Sequence, residues 1–297
     1  MYPAPFTYHR AHSVDQAIDM LGQIGEGARV LAGGQSLLPI LKLRFDEPTD
    51  LVDVGRIEGL NGIELGQDDI RIGALATHRR IAASDVAGAI PIVSDCANGI
   101  ADNQVRSRGT IGGSVASGDP SCDWPVLLHT LDAKVHSRGP NGERTRDING
   151  FVSDLYETVL DAGEIITGVQ FALPGSGSGG AYCAFKRCAP AYPSVSVGVQ
   201  LVLSGGEVSS ARIALGSSAP TPVRAREAES ELEGGAITPD RVSRAAEAAV
   251  AAADPFPDQR GSAGFKRQLI ATLVRRATGI AERRAKGETV KNSHEYY

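Results

Sequence analysis

Two glycine-rich stretches, far apart in the chain, constrain the fold more than any other feature. AGGQS, Ala32 to Ser36, closes a strand-like run, and RSRGTIGGSVASGDPSCDWP spans residues 106 to 125. Consecutive glycines let backbone N–H groups converge without intervening Cβ atoms, and such nests bind phosphate oxygens. Gln35, Ser36, Thr110, Ser114 and Ser117 add hydrogen-bonding side chains to them. A dinucleotide-binding βαβ unit uses one glycine loop leading into one helix. Two separate loops instead predict a diphosphate gripped from two sides. Either stretch alone also fits an ordinary tight turn; the pair, with Asp119 and Asp123 following TIGGS (Thr110 to Ser114), favours a ligand. Asp123 is placed to cap a helix with Pro125 in its first turn, and Trp124 anchors that helix in the core.

The rest of the chain alternates strand and helix. HSVDQAIDMLGQI opens with Ser13 as N-cap and Gln16 as its capping-box partner, and Val14, Ala17, Ile18 and Leu21 follow at helical spacing. ARVLAGG, PTDLVDVG, IRIGALATH, AKVHSR and EIITGVQF read as strands, and IAASDVAGAIPIVSDCANGIA as a helix broken at Pro91. LPGSGSGG, near residue 175, marks a boundary or a long hairpin. SVSVGVQLVLSGGEVSSARIALGSSA then reads as antiparallel strands turning at Gly205 and Gly206, with alanine-rich helices over about 239–253 and 262–286 beyond it. The expected fold class is α+β. Its expected domains are 1–175, with subdomains at about 1–60 and 61–175, and 176–297.

Composition excludes several classes of function. A net charge of −5 gives no support for nucleic-acid binding, and no run of eighteen apolar residues predicts an integral membrane segment. MYPAPFTYHRAHS has no apolar core of a signal peptide, so the expected location is the cytoplasm. Cys96, Cys122, Cys183 and Cys188 contain no C-x-x-C pair and read as reduced thiols rather than metal ligands. Gly175, Gly177 and Gly180 satisfy G-x-G-x-x-G, yet AYCAFKRCA after them alternates like a strand, so the match reads as a turn. His9 and His12 lack a third ligand and read as surface imidazoles, and GGSVA lacks the strand–elbow–helix context that would make Ser114 a nucleophile. In the last helix Phe265, Leu269, Leu273 and Ile280 form one apolar face and Arg275, Arg276, Arg283 and Arg284 a solvated one.

AGGQSLLPILKLR and NQVRSRGTIGGSVASGDPSCDWP together resemble the two FAD-binding signatures of the medium, flavoprotein subunit of molybdenum hydroxylases, the family of carbon monoxide dehydrogenase and xanthine dehydrogenase. ADPFPDQRGSAGFKRQLIATLVRRA is similar to that family's C-terminal segment, so the resemblance covers essentially the whole chain. It implies a two-subdomain FAD-binding fold of the vanillyl-alcohol-oxidase type followed by a C-terminal α+β domain. Noncovalent FAD is the implied cofactor.

The resemblance also assigns positions. Ala32, Gly33, Gly34, Gln35 and Ser36, flanked by Leu31 and Leu37, match the first pyrophosphate loop, and Thr110, Gly113, Ser114 and Ser117 match the second. Asp123 matches an acidic residue contacting the ribose or its neighbours; Ala74, Ile100 and Ala101 fall where the family packs residues near the flavin. Ile165 and Ile166 match an apolar pair around the adenine, Lys186 a basic residue near the isoalloxazine, and Tyr192 a residue over the flavin ring. No catalytic side chain is implied. Molybdopterin and [2Fe–2S] clusters are implied for partner subunits, one large and one small, in a dimer of heterotrimers. A stand-alone FAD-dependent oxidoreductase of the same fold is the alternative. Many carbon monoxide dehydrogenase relatives have histidine where this chain has Gln35, and many family members have asparagine at Ser114. Both replacements keep a hydrogen-bonding side chain, but they make carbon monoxide a less favoured substrate; the substrate itself is chosen in another chain.

Overall fold

A computed structural model describes residues 2–292. The chain opens with β1 (Thr7–Arg10), α1 (Val14–Ile24), β2 (Ala28–Leu31), α2 (Leu37–Leu43) and β3 (Asp50–Asp53). The three strands form a parallel sheet in the order β1-β3-β2, which two successive βαβ crossovers require. Ser13 caps α1 as the sequence predicts: its Oγ accepts the Gln16 N–H at 3.1 Å, and Gln16 Oε1 takes the His12 N–H at 2.7 Å. Ala17, Ile18 and Leu21 then turn inward.

Next come β4 (Ile63–Leu65), β5 (Asp69–Gly73) and five short helices: α3 (His78–Ala82), α4 (Asp85–Ala89), α5 (Pro91–Gly99), α6 (Asn103–Arg108) and α7 (Ile111–Ala116). Pro91 does break the helical run, as the first residue of α5, where its missing N–H costs nothing. After α8 (Asp123–Thr130), strands β6 (Lys134–Gly139) and β7 (Gly142–Asp147), the hairpin β8 (Val152–Asp154)–β9 (Glu157–Thr158) and β10 (Ile165–Ala172) complete this part. Its main sheet runs β4-β5-β10-β6-β7.

The remaining residues build a four-stranded antiparallel sheet, β11 (Ser178–Phe185), β12 (Val195–Ser204), β13 (Glu207–Gly216) and β14 (Val223–Arg224), and three helices, α9 (Arg226–Leu232), α10 (Pro239–Ala252) and α11 (Ala263–Ala285). Alternation in β12 shows why this sheet has two different faces. Val195, Val197, Val199 and Leu201 are fully buried in a cluster with Ile270, Val274 and Ala277 of α11. The intervening small residues face the first part of the chain. A Cβ built on Gly198 would lie 2.1 Å from Thr130 Oγ1 of α8, so only glycine allows the sheet and that helix to approach so closely.

Three expectations need correction. The second glycine-rich stretch is not a bare loop, because α6 and α7 run through it, α7 capped by Thr110 through the Gly113 N–H at 3.2 Å. Asp123 does not cap α8: the N-cap is Cys122, with no side-chain cap bond, and Asp123 lies in the first turn with its carboxylate engaged elsewhere. On α11 the buried stripe is Lys266, Ile270, Leu273, Val274, Ala277, Thr278 and Ala281, so Phe265 is left at the surface, edge-on to Phe185. Arg284, read as solvated, is buried in a bidentate pair with Asp95 at 2.6 and 3.0 Å, and its remaining N–H groups reach the carbonyls of Gly180 and Val290. The polyglycine run ending at Gly180 continues into strand β11, as expected of a turn and not of a nucleotide-binding helix.

Candidate flavin-nucleotide site

A cavity of about 590 Å³, in the range of small-molecule sites, lies where the parallel sheet, the five-stranded sheet and the C-terminal sheet meet. Its walls gather residues from 29–37, 100–123, 156–166 and 186–192. Ala32, Gly33, Gly34, Gln35, Ser36 and Leu37 form one wall; Thr110, Gly113, Ser114 and Ser117 face them from the second stretch. Ala74, Ile100, Ala101, Asp123, Ile165, Ile166, Lys186 and Tyr192 line it as well. Of the site residues read from sequence, Leu31 is the exception: it ends β2, where its carbonyl accepts the Val54 N–H at 2.9 Å, and it does not line the cavity although its neighbours Val30 and Ala32 do.

The two glycine-rich walls differ in how their backbone groups are used. Among the described residues, the N–H groups of Gly33, Gly34, Gln35 and Ser36 have no hydrogen-bond acceptor within the chain. Ser36 is the N-cap of α2 and makes no side-chain cap bond, and Gly34 sits at φ 73°, where glycine is free of Cβ strain. Four successive unpaired amides before a helix form a cradle for an anion. In the second stretch the amides are already spent. Ile111 N–H bonds to Ala76 O at 3.1 Å, Gly112 N–H to Ala74 O at 2.9 Å, Gly113 N–H to Thr110 Oγ1 and Ser114 N–H to Thr110 O at 3.0 Å. What this wall offers is hydroxyl groups and shape.

Close packing joins the two walls. A Cβ on Gly33 would lie 2.1 Å from Arg108 O, so the first loop rests directly on the second. Arg106 donates to the carbonyls of Ile100 and Ala101 at 2.6 and 2.7 Å and to Asn103 Oδ1 at 2.8 Å. It thereby holds a strained turn in place: Ala101 sits at φ 41°, a conformation that costs a residue with a Cβ about 1 kcal/mol or more.

Buried charge crosses from the C-terminal sheet to this cavity. Lys186 Nζ donates to Gly99 O at 2.7 Å and to Asp123 Oδ2 at 3.3 Å, and Tyr182 OH donates to Asp123 Oδ1 at 2.9 Å. Both side chains of the Lys186–Asp123 pair are at most 5% exposed. The Tyr182 N–H in turn reaches Asp95 Oδ2, which Arg284 clamps. A second, more open cleft of about 820 Å³ lies above that clamp, but Arg284 has no donor left to offer a ligand there.

Residues that sequence reasoning missed also line the cavity: His78, Leu160 and Glu164. Burial, with the positive charge of Arg106 second, pushes the His78 imidazole down to about 4, and the ring accepts at Nδ1 from Trp124 Nε1 at 2.9 Å. Burial would raise Glu164, but Arg146 at 2.6 Å, Ser137 and the Asp161 N–H hold it down at about 2. Burial also raises the carboxyl of Asp119, within the second stretch. Burial likewise pushes the Cys122 thiol up to about 12, so at neutral pH it is a thiol and not a nucleophile. Among the described residues no group of His, Cys, Asp and Glu is placed to hold a metal, and no helix is long and apolar enough to cross a membrane.

The cavity's geometry suits FAD in three respects: unpaired amides for phosphate, apolar walls at Ile165, Ile166 and Leu160 for a ring, and a buried cation at Lys186. Comparison with known proteins agrees. The family described as the FAD binding domain in molybdopterin dehydrogenase matches residues 4–174, and the CO dehydrogenase flavoprotein C-terminal domain matches residues 180–281. The carbon monoxide dehydrogenase medium chain of Hydrogenophaga pseudoflava is 39% identical over 95% of this chain and 98% of its own. A solved structure of that organism's carbon monoxide dehydrogenase, one lacking the Mo-pyranopterin moiety of the molybdenum cofactor, superposes with a TM-score of 0.92 at 41% identity, covering 95% of this chain and 98% of that one. Quinoline 2-oxidoreductase from Pseudomonas putida 86 gives 0.90 at 31% identity, covering 96% and 99%. This chain belongs to the family of FAD-binding medium subunits of carbon monoxide dehydrogenase- and xanthine dehydrogenase-type molybdenum hydroxylases.

Proposed function

We propose that this subunit carries electrons between the iron–sulfur clusters of a small subunit and an external acceptor, while hydroxylation proceeds at molybdopterin in a large subunit. The three chains assemble as a dimer of heterotrimers in the cytoplasm. Residues 1–175, in subdomains 1–60 and 61–175, bind FAD, and residues 176–297 cover it and bring Lys186 and Tyr192 to the cavity. The observation that carries this reading is the set of four unpaired amides at Gly33 to Ser36 facing a cavity closed by both halves of the chain.

In this reading Gly33 to Ser36 hold the pyrophosphate, with Thr110 and Ser114 supplying hydroxyl donors from the opposite wall and Ser117, whose O–H donates to Ser114 O at 2.8 Å, shaping it. Ile165, Ile166 and Leu160 enclose the adenine. Lys186, fixed by Asp123 and Gly99 O, places a positive charge beside the ring system, with Ala74, Ile100, Ala101 and Tyr192 around it. Bound flavin supplies a centre that accepts electrons singly from clusters and releases them in pairs. The protein contributes position and electrostatics, and no side chain here is assigned as acid or nucleophile. The substrate is not set by this chain; relatives of similar fold include enzymes named for carbon monoxide and for quinoline. Purification of the native protein with its companions tests the proposal. Molybdenum, iron, FAD and two further chains are expected in stoichiometric amounts. Oxidoreductase activity in a protein free of molybdenum, iron and other chains would overturn it in favour of a stand-alone flavoenzyme.

A further inference from the structure

His78 is the first residue of α3, after the N-cap Thr77, and it lines the cavity while only 5% exposed. Its backbone N–H bonds to Gly109 O at 3.0 Å, and Thr77 bridges to Thr110, so α3 is fastened to the second glycine-rich stretch at this point. A Cβ on Gly109 would lie 2.6 Å from His78 Nε2; glycine there gives the ring its place. Indole Nε1–H can only donate, so the bond from Trp124 makes Nδ1 the acceptor and leaves the single proton of the neutral ring on Nε2. That Nε2–H has no acceptor within the chain among the described residues.

His78 Nε2 is not one of the fully enclosed side-chain atoms that lack a partner, so its N–H opens onto the cavity, where a ligand acceptor can take it. We propose that His78 donates from Nε2 to an acceptor atom of the flavin dinucleotide in this cavity, with Trp124 as the positioning residue that fixes its tautomer. The inference rests on the FAD reading and adds a contact that neither glycine-rich stretch contains. It also gives Trp124 a role beyond filling the core: a phenylalanine there keeps much of the apolar bulk but frees the imidazole to hold its proton on either nitrogen.

Titration of FAD into the flavin-stripped full chain, followed by flavin fluorescence, tests the proposal with three variants. H78F should raise Kd by about tenfold, as expected for a lost buried hydrogen bond. H78Q, whose amide places a donor near the Nε2 position, should recover most of that loss, and W124F should show a smaller rise. ¹⁵N spectra of the unsubstituted protein supply a readout that does not depend on folding of any variant. They should show Nε2 protonated and Nδ1 unprotonated before FAD is added, and a shift at Nε2 afterwards. Equal Kd for H78F and the parent, an Nδ1-protonated ring, or an Nε2 signal unmoved by FAD would each overturn the inference while leaving the FAD reading intact. If the parent chain itself fails to bind FAD, both fall.

Discussion

The two glycine-rich walls of the cavity have similar composition and opposite uses of their backbone. In the first, the amides from Gly33 to Ser36 are left without partners, and the chain there is held by close packing against Arg108 and Gly109. In the second, the carbonyls of Ala74 and Ala76 take the amides of Gly112 and Ile111, the Thr110 cap of α7 takes those of Gly113 and Ser114, and the glycines serve to let elements approach: Gly109 beside His78, Gly112 beside Ala74. Glycine content by itself therefore does not identify an anion nest. What identifies one is the absence of internal acceptors, which depends on whether a neighbouring segment or a helix cap reaches the stretch.

The largest effect that would test this contrast is expected just beyond the second wall. Asp123→Asn removes the negative partner of a buried ammonium at Lys186 and should cost about 3–5 kcal/mol in denaturant unfolding of the full chain. A loss below 1 kcal/mol would mean that the pair is not the fixed element described here. Gly33→Val comes next, because its side chain must displace Arg108 O; about 3 kcal/mol of stability should go with it. The same change at a position that only binds ligand would leave the stripped protein unaffected.

Acid sharpens the comparison in a different way. His78 is neutral in the fold down to about 4, whereas the unfolded chain takes up that proton near its ordinary value of 6.5. The unfolded state then binds more protons between these values, so stability is complete above pH 6.5 and falls as pH drops towards 4, by up to about 3 kcal/mol. Glu164 is depressed to about 2 and adds a further loss between its ordinary value of 4.5 and 2. H78Q should flatten the upper part of the stability–pH curve and leave the lower part in place.

Gly113→Leu should have the smallest effect on stability, under about 1 kcal/mol, since a Cβ there meets only Thr110 Oγ1 at 3.0 Å. It should nonetheless raise the FAD Kd by about tenfold or more, because the side chain grows into the cavity. Full flavin content in that variant would count against the assignment of this wall.

Local chemistry explains what the sequence reveals and what it hides. Ser13 with Gln16, Pro91 at a helix start, and the alternation of β12 are all encoded within a few residues, and they are legible. β1 and β7 are not, because Thr7–Arg10 and Gly142–Asp147 are mostly exposed and carry no alternating pattern. α7 escapes because two glycines within six residues lower helix propensity; the Thr110 cap three residues before Gly113 is the signal that reveals it. All the site positions except Leu31 come together around one cavity, since the motifs that carry them are short and contiguous. His78 and Arg284 stay hidden because their partners, Trp124 and Asp95, lie 46 and 189 residues away.

Residue-resolved amide hydrogen exchange, with and without FAD, tests the central contrast most directly. Rapid exchange is expected at Gly33, Gly34, Gln35 and Ser36 in the stripped protein and strong protection when FAD is added, while Gly112, Gly113 and Ser114 are protected in both states. Slow exchange at Gly33 to Ser36 without FAD, or new protection confined to Gly112 to Ser114, would contradict it.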